Sequence, residues 1–110
     1  MFEFLKQMGD LRRADKVKRE IGIARQAIAA GDIHTADYAL EAAYKLCLET
    51  MFVRTFHTEL QFLWGVIGLK VRDMGYPELA DHCTKMNALL QARFEAGEYY
   101  ADRLVGSRNF

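Results

Sequence analysis

The sequence predicts an all-α fold of antiparallel helical hairpins, a bundle of four or five helices in a single domain. Three observations predict it. Apolar residues recur at helical spacing, and strict alternation of apolar and polar residues is missing over any useful length. Proline occurs once, at Pro77, a scarcity that favours helices over a loop-rich β fold. The chain has 110 residues, 51% hydrophobic and 27% charged, which suits one core beneath a solvated surface.

The elements follow in chain order. Leu5, Met8 and Leu11 make one apolar stripe, and Val17, Ile21, Ala24 and Ile28 make the next. Gly9 and Asp10 are read as a break, giving a leading amphipathic helix over 1–19 and a first hairpin unit over 20–50. The helix through Ile28 should stop near Gly31, because glycine enters the left-handed region cheaply at a helix end. Asp32 then caps a helix whose inner face carries Ile33, Ala36, Leu40, Ala43 and Cys47. A turn between Thr50 and Thr55, with Thr55 as N-cap, is expected to divide what would otherwise be one helix over 33–74. The second unit spans 55–90. Its first helix ends near Met74, and "GYP" at 75–77 supplies a glycine stop and a proline suited to the next first turn. Leu79, Cys83, Met86 and Leu90 form the final stripe, followed by a C-terminal helix and tail over 91–110.

Charge and cysteine usage remove several classes of function. The formal net charge is +0, so no bulk field draws the chain to nucleic acid or anionic lipid. Two cysteines, Cys47 and Cys83, without a CxxC pair read as buried free thiols in a reducing compartment. "MFEFLKQMGDLRR" carries Glu3, Lys6 and Asp10 where a secretory signal needs an uncharged core. The longest apolar run, "LQFLWGVIGL" at 60–69, falls short of the roughly 20 residues that cross a bilayer. A soluble cytoplasmic protein with no membrane partner is expected.

An internal echo carries the most information. "GDIHTADYALEAA" at 31–43 aligns with "GYPELADHCTKMN" at 75–87, matching Gly31 with Gly75 and Ala36 with Ala80. Glycine turns the chain between helices, and small residues let two backbones approach. The pattern resembles the tetratricopeptide repeat, a helix–turn–helix unit. In the second copy the Trp-x-x-Leu-Gly-x-x-Tyr signature falls on Trp64, Ile67, Gly68 and Val71, with Gly75 at the turn and Ala80 after it. In the first copy Gly31, Ile33, Ala36, Leu40 and Ala43 match in kind. Gly31 and Gly75 stand 44 residues apart against the family's 34, so longer helices are expected.

The resemblance implies that the first helix of each unit faces a ligand groove. The family's groove-facing positions fall on Lys18, Ile21, Arg25 and Ile28, and on Phe62, Gly65, Leu69 and Arg72. Lys18, Arg25 and Arg72 beside Phe62 and Leu69 would suit a peptide with acidic and apolar side chains. Ile21, Ile28, Phe62 and Leu69 could equally be core.

Chemistry is sparse by comparison. His34, His57 and His82 lie on three segments; Glu78 and His82, four apart on one helix face, match neither the Glu-x-x-His spacing of di-iron bundles nor the paired histidines of HExxH zinc enzymes, and His82 and Cys83 point about 100° apart. The phosphate-binding and nucleophile-elbow motifs are missing. No metal, cofactor or catalysis is therefore expected. In "LRRADKVKRE" at 11–20, Arg12, Lys16 and Arg19 could face phosphates, but pairing of Asp15 with Arg19 and Lys16 with Glu20 gives a plainer solvated face. Phe2 and Phe4 near one end, and Tyr99, Tyr100 and Phe110 near the other, could anchor a second chain. The expected role is a non-catalytic interaction module, an adaptor, regulator or small chaperone holding a partner helix or peptide, with self-association open to it. The alternatives are a bundle holding a small ligand or cofactor between its helices, with or without enzyme activity, and a nucleic-acid contact through the basic helix at 11–20.

Overall fold

The computed structural model describes residues 2–49 and 54–96, with the side chains of 2–11, 49 and 54 left aside. The described residues form four helices and no strand: α1 (Phe2–Ala29), α2 (Ile33–Glu49), α3 (Arg54–Met74) and α4 (Pro77–Glu95). α1 packs chiefly on α2, and α3 chiefly on α4, as two antiparallel hairpins. The hairpins meet where α3 lies against α2 and, less extensively, against α1.

Both hairpins turn in the same way. Gly31 and Gly75 each have φ of 80°, in the left-handed region where a side chain is strained. Around Gly31 the Asp32 N–H donates to the Ala27 carbonyl at 2.8 Å, and the Gly31 N–H to Ile28 at 3.1 Å. This is the Schellman arrangement, which satisfies carbonyls that the end of α1 would otherwise leave bare. Around Gly75 the Tyr76 N–H donates to the Val71 carbonyl at 3.2 Å, the equivalent long bond.

The next helix starts at once in each case, by different chemistry. Asp32 caps α2: its carboxylate accepts from the Thr35 N–H at 3.3 Å and the Thr35 hydroxyl at 2.6 Å. α4 has no side-chain cap; Pro77 opens it, where a missing N–H costs nothing, and Glu78 lies in its first turn.

The core is a single cluster drawn from all four helices. Val17, Ile21 and Ala24 come from α1, and Ile33, Ala36, Leu40, Ala43 and Cys47 from α2. Leu60, Trp64, Ile67 and Val71 come from α3, and Cys83, Met86 and Leu90 from α4, with Leu79 and Ile28 packed at its edge. Full burial of a side chain such as Leu40 or Ile67 contributes about 1.5–3 kcal/mol.

Four sequence expectations are corrected. α1 runs unbroken through Gly9 and Asp10 to Ala29, so 1–19 is not a separate leading helix. An interior glycine costs a helix only about 1 kcal/mol, and the neighbouring Leu, Lys, Gln and Arg favour continuation. Thr55 does not cap α3, because the helix already begins at Arg54. The division of 33–74 into two helices holds, with the connection at 50–53 outside the described residues. Among the described residues, α4 takes in 91–95 rather than a new helix starting there, and the rest of the proposed C-terminal segment, 97–110, lies outside them. Finally, neither Asp15 with Arg19 nor Lys16 with Glu20 forms an ion pair. Exposed i,i+4 pairs gain at most about 0.5 kcal/mol, too little to hold long side chains in one geometry.

The turns make two predictions. Gly31→Ala and Gly75→Ala should each lower stability by about 1–2 kcal/mol in urea unfolding, although an added Cβ meets no atom within 4 Å at either site. Equal stability in both variants would remove the strain argument. The second prediction concerns acid. The Thr35 hydroxyl, and then its N–H, hold the Asp32 carboxyl below its usual 3.8. A carboxyl lowered by folding stabilises above its unfolded value, and that contribution disappears as pH falls through the folded one. Asp32→Asn should therefore lose less stability than the parent chain on acidification below pH 3.8.

Candidate functional site

The centre of the joint between the hairpins is Trp64. α3 turns its Leu60, Trp64, Ile67 and Val71 face inward, and Trp64 is fully buried. A buried indole N–H needs an acceptor. The Trp64 Nε1–H donates to Asp37 Oδ1 on α2 at 2.9 Å, crossing from one hairpin to the other. The Tyr44 ring of α2 meets the indole edge-on at 6.3 Å between centroids. Arg93 of α4 donates through Nε to the Tyr44 hydroxyl at 3.2 Å, with its guanidinium 5.8 Å from the ring centre. The same Asp37 oxygen lies 3.4 Å from His82 Nε2 on α4.

Two concave surfaces flank this joint. The first is a groove of about 490 Å³ along α3 and α4, bordered by Phe62, Gly65, Leu69 and Arg72 on α3 and by Thr84 and Asn87 on α4. Phe62 is 65% exposed and Leu69 68% exposed, so neither is core. With Val66 they fall at i, i+4 and i+7, a stripe on the face of α3 roughly opposite its buried one, at about 100° per residue. Arg72, at one end, has no ion pair among the described residues.

Gly65 and Gly68 line the groove, and neither is demanded by the packing of α4. A Cβ at Gly68 would meet the Cys83 Cβ at 3.5 Å, and one at Gly65 the Asn87 Nδ2 at 3.9 Å, both ordinary contacts. What the missing side chains provide is depth.

The groove positions suggested by the repeat resemblance are divided by the fold. Phe62, Gly65, Leu69 and Arg72 line one surface. Those of the first copy do not join them: Ile21 is core, and Ile28 packs at the core's edge. Lys18 is exposed on α1. The guanidinium of Arg25 pairs with Glu59 of α3 at 2.9 Å, a tie between α1 and α3. Ala36 and Ala43 are fully buried, and Ala80 is half-buried against the core.

The second concavity, of about 570 Å³, lies between the start of α2 and the Gly75–Pro77 turn. His34, Asp37 and Glu41 of α2 line it with Tyr76, Glu78 and His82. Asp37 and Glu41 are one helical turn apart, a spacing visible in the sequence; their approach to His82 depends on the two hairpins meeting and is not.

The thiols have little nucleophilic character. Burial pushes the Cys47 thiol up to about 12. Burial, then the negative charge of Asp37, pushes Cys83 up to about 11. Both therefore stay protonated near neutrality, the inert form. The third histidine, His57, is buried, its ring 5.7 Å from that of Phe94.

No family model, curated protein or solved structure matches the chain. Among the described residues no helix is long and apolar enough to cross a membrane. The fold defines an all-α bundle of helical hairpins.

The joint predicts its own sensitivity. Trp64→Phe keeps most of the buried ring but removes the indole donor, and should cost about 1–3 kcal/mol in chemical unfolding. Asp37→Asn keeps an acceptor for that donor and should cost less. The reverse order would show that the indole bond is not what joins the hairpins.

Proposed function

We propose that this chain is a non-catalytic protein-interaction module, an adaptor, regulator or small chaperone, and that the α3–α4 groove holds an amphipathic helix of its partner. The observation that carries this is the second apolar stripe of α3. A helix buried on one face normally turns charged or polar residues to the other. α3 instead turns Phe62, Val66 and Leu69 outward, beside a groove deepened by the missing side chains of Gly65 and Gly68. Apolar side chains grouped around a groove mark an interaction surface more than scattered ones do.

The occupant's chemistry follows from the rim. An apolar helix face would cover Phe62 and Leu69, and an acidic side chain at one end would meet the Arg72 guanidinium. Of the positions that the tetratricopeptide resemblance put on a ligand-facing helix, those of the second copy, Phe62, Gly65, Leu69 and Arg72, line this groove. Cys47 and Cys83, free and protonated, accord with work in the reducing cytoplasm.

The tests separate this reading from its competitors. A photo-reactive amino acid at Phe62 should cross-link to a different protein in the native cell. An adduct within the chain, or with a second copy of it, would replace the partner with self-association. Phe62→Glu with Leu69→Glu should weaken the captured complex by at least about thirtyfold, as loss of an apolar hot spot does. Gly65→Ala with Gly68→Ala should fill the groove while raising helix stability by up to about 1 kcal/mol per site. Binding that survives both pairs of substitutions would place recognition elsewhere.

A further inference from the structure

We propose that Asp37, Glu41 and His82 form a binding site for a divalent transition-metal ion of the zinc class. One ligand atom from each lies within 4.8 Å of the other two. The site opens on the other concavity, which shares no lining residue with the groove.

Four features point to an ion rather than to a self-satisfied polar cluster. His82 Nε2 is buried and has no hydrogen-bond partner, although 30% of the His82 side chain remains exposed. It stands 3.4 Å from Asp37 Oδ1 without hydrogen-bond geometry. Two donors held by one tetrahedral ion at about 2.0–2.1 Å stand about 3.3–3.4 Å apart, so the pair already has ligand spacing. Asp37 and Glu41 are an i,i+4 pair on α2, which turns both carboxylates to one side of the helix. Asp37 is also fixed from behind by the Trp64 indole N–H at 2.9 Å, the outer bond that orients a ligating carboxylate and leaves it lone pairs for an ion.

The donor set selects the class of ion. One imidazole nitrogen with two carboxylates suits zinc, cobalt or manganese, whereas magnesium and calcium prefer oxygen alone. Three protein ligands leave a tetrahedral ion one open position. Here it would face the 570 Å³ concavity walled by His34 and Glu78. Because two ligands come from α2 and the third from α4, a bound ion also ties the first hairpin to the second.

The full chain carries its own probe in Trp64, its single tryptophan. Titration with Co²⁺ should quench Trp64 fluorescence with a stoichiometry of one, and Zn²⁺ should displace it and raise the melting temperature, reversibly with EDTA. Glu41→Gln and His82→Gln, checked for helix content by circular dichroism, should each weaken binding about tenfold or more. Three results would overturn the assignment: no stoichiometric binding at millimolar Zn²⁺, unchanged affinity in both variants, or Mg²⁺ binding as tightly as Zn²⁺.

Discussion

The fold depends on one bond more than on any other, the Trp64 indole donating to Asp37 across the two hairpins. Each hairpin can close on its own turn, but neither buries its whole apolar surface without the other. Trp64 supplies the largest fully buried side chain to their shared core. Burying it would strand a polar N–H, and a stranded donor costs about 1–3 kcal/mol. The carboxylate that removes this cost stands on the opposite hairpin. The bond therefore selects one register of α3 on α2, which apolar packing by itself specifies weakly.

Two further links between the hairpins are peripheral and polar. Arg93 reaches Tyr44 from α4, and Arg25 reaches Glu59 from α1. The Arg25–Glu59 pair is partly exposed on both sides, so it adds little stability. Its effect is to orient α1 on α3. The consequence for function is that Arg25 is engaged in structure, while Arg72, on the outer side of α3, is not.

Much of the fold was legible in local patterns. Gly31 and Gly75 announced both turns because a left-handed helix stop demands glycine whatever surrounds it. Asp32 announced its cap for an equally local reason. The inward stripes of α2 and α4 followed from spacing alone. The misread positions were those where local preference is weak or contact is distant. Gly9 and Asp10 disfavour helix only mildly, and the helix ran through them. Nothing in the spacing of Arg25 predicts Glu59, 34 positions away. The same holds for the cluster of Asp37, Glu41 and His82. Half of it is a visible i,i+4 pair, and the other half arrives only when α4 docks. The groove was legible on α3, where four positions share one helix, and not on α1, whose matching positions the core and Glu59 had already claimed.

α3 is the element on which the packing of the hairpins and the proposed recognition would compete. Its inner face must be large and apolar to join the hairpins, and its outer face is apolar as well, which a solvated helix does not require. Two glycines in the same stretch lower helix propensity, though an alanine at either would fit. Stability alone would favour alanine at Gly65 and Gly68 and a polar residue at Phe62. The chain has the opposite at all three places. All three positions border the same concavity, so the departures from what stability favours are concentrated at the groove to which we assign partner binding. Because Trp64 lines the groove from beneath and is locked to Asp37, the groove is preformed, and for the proposed partner that would lower the ordering cost of binding.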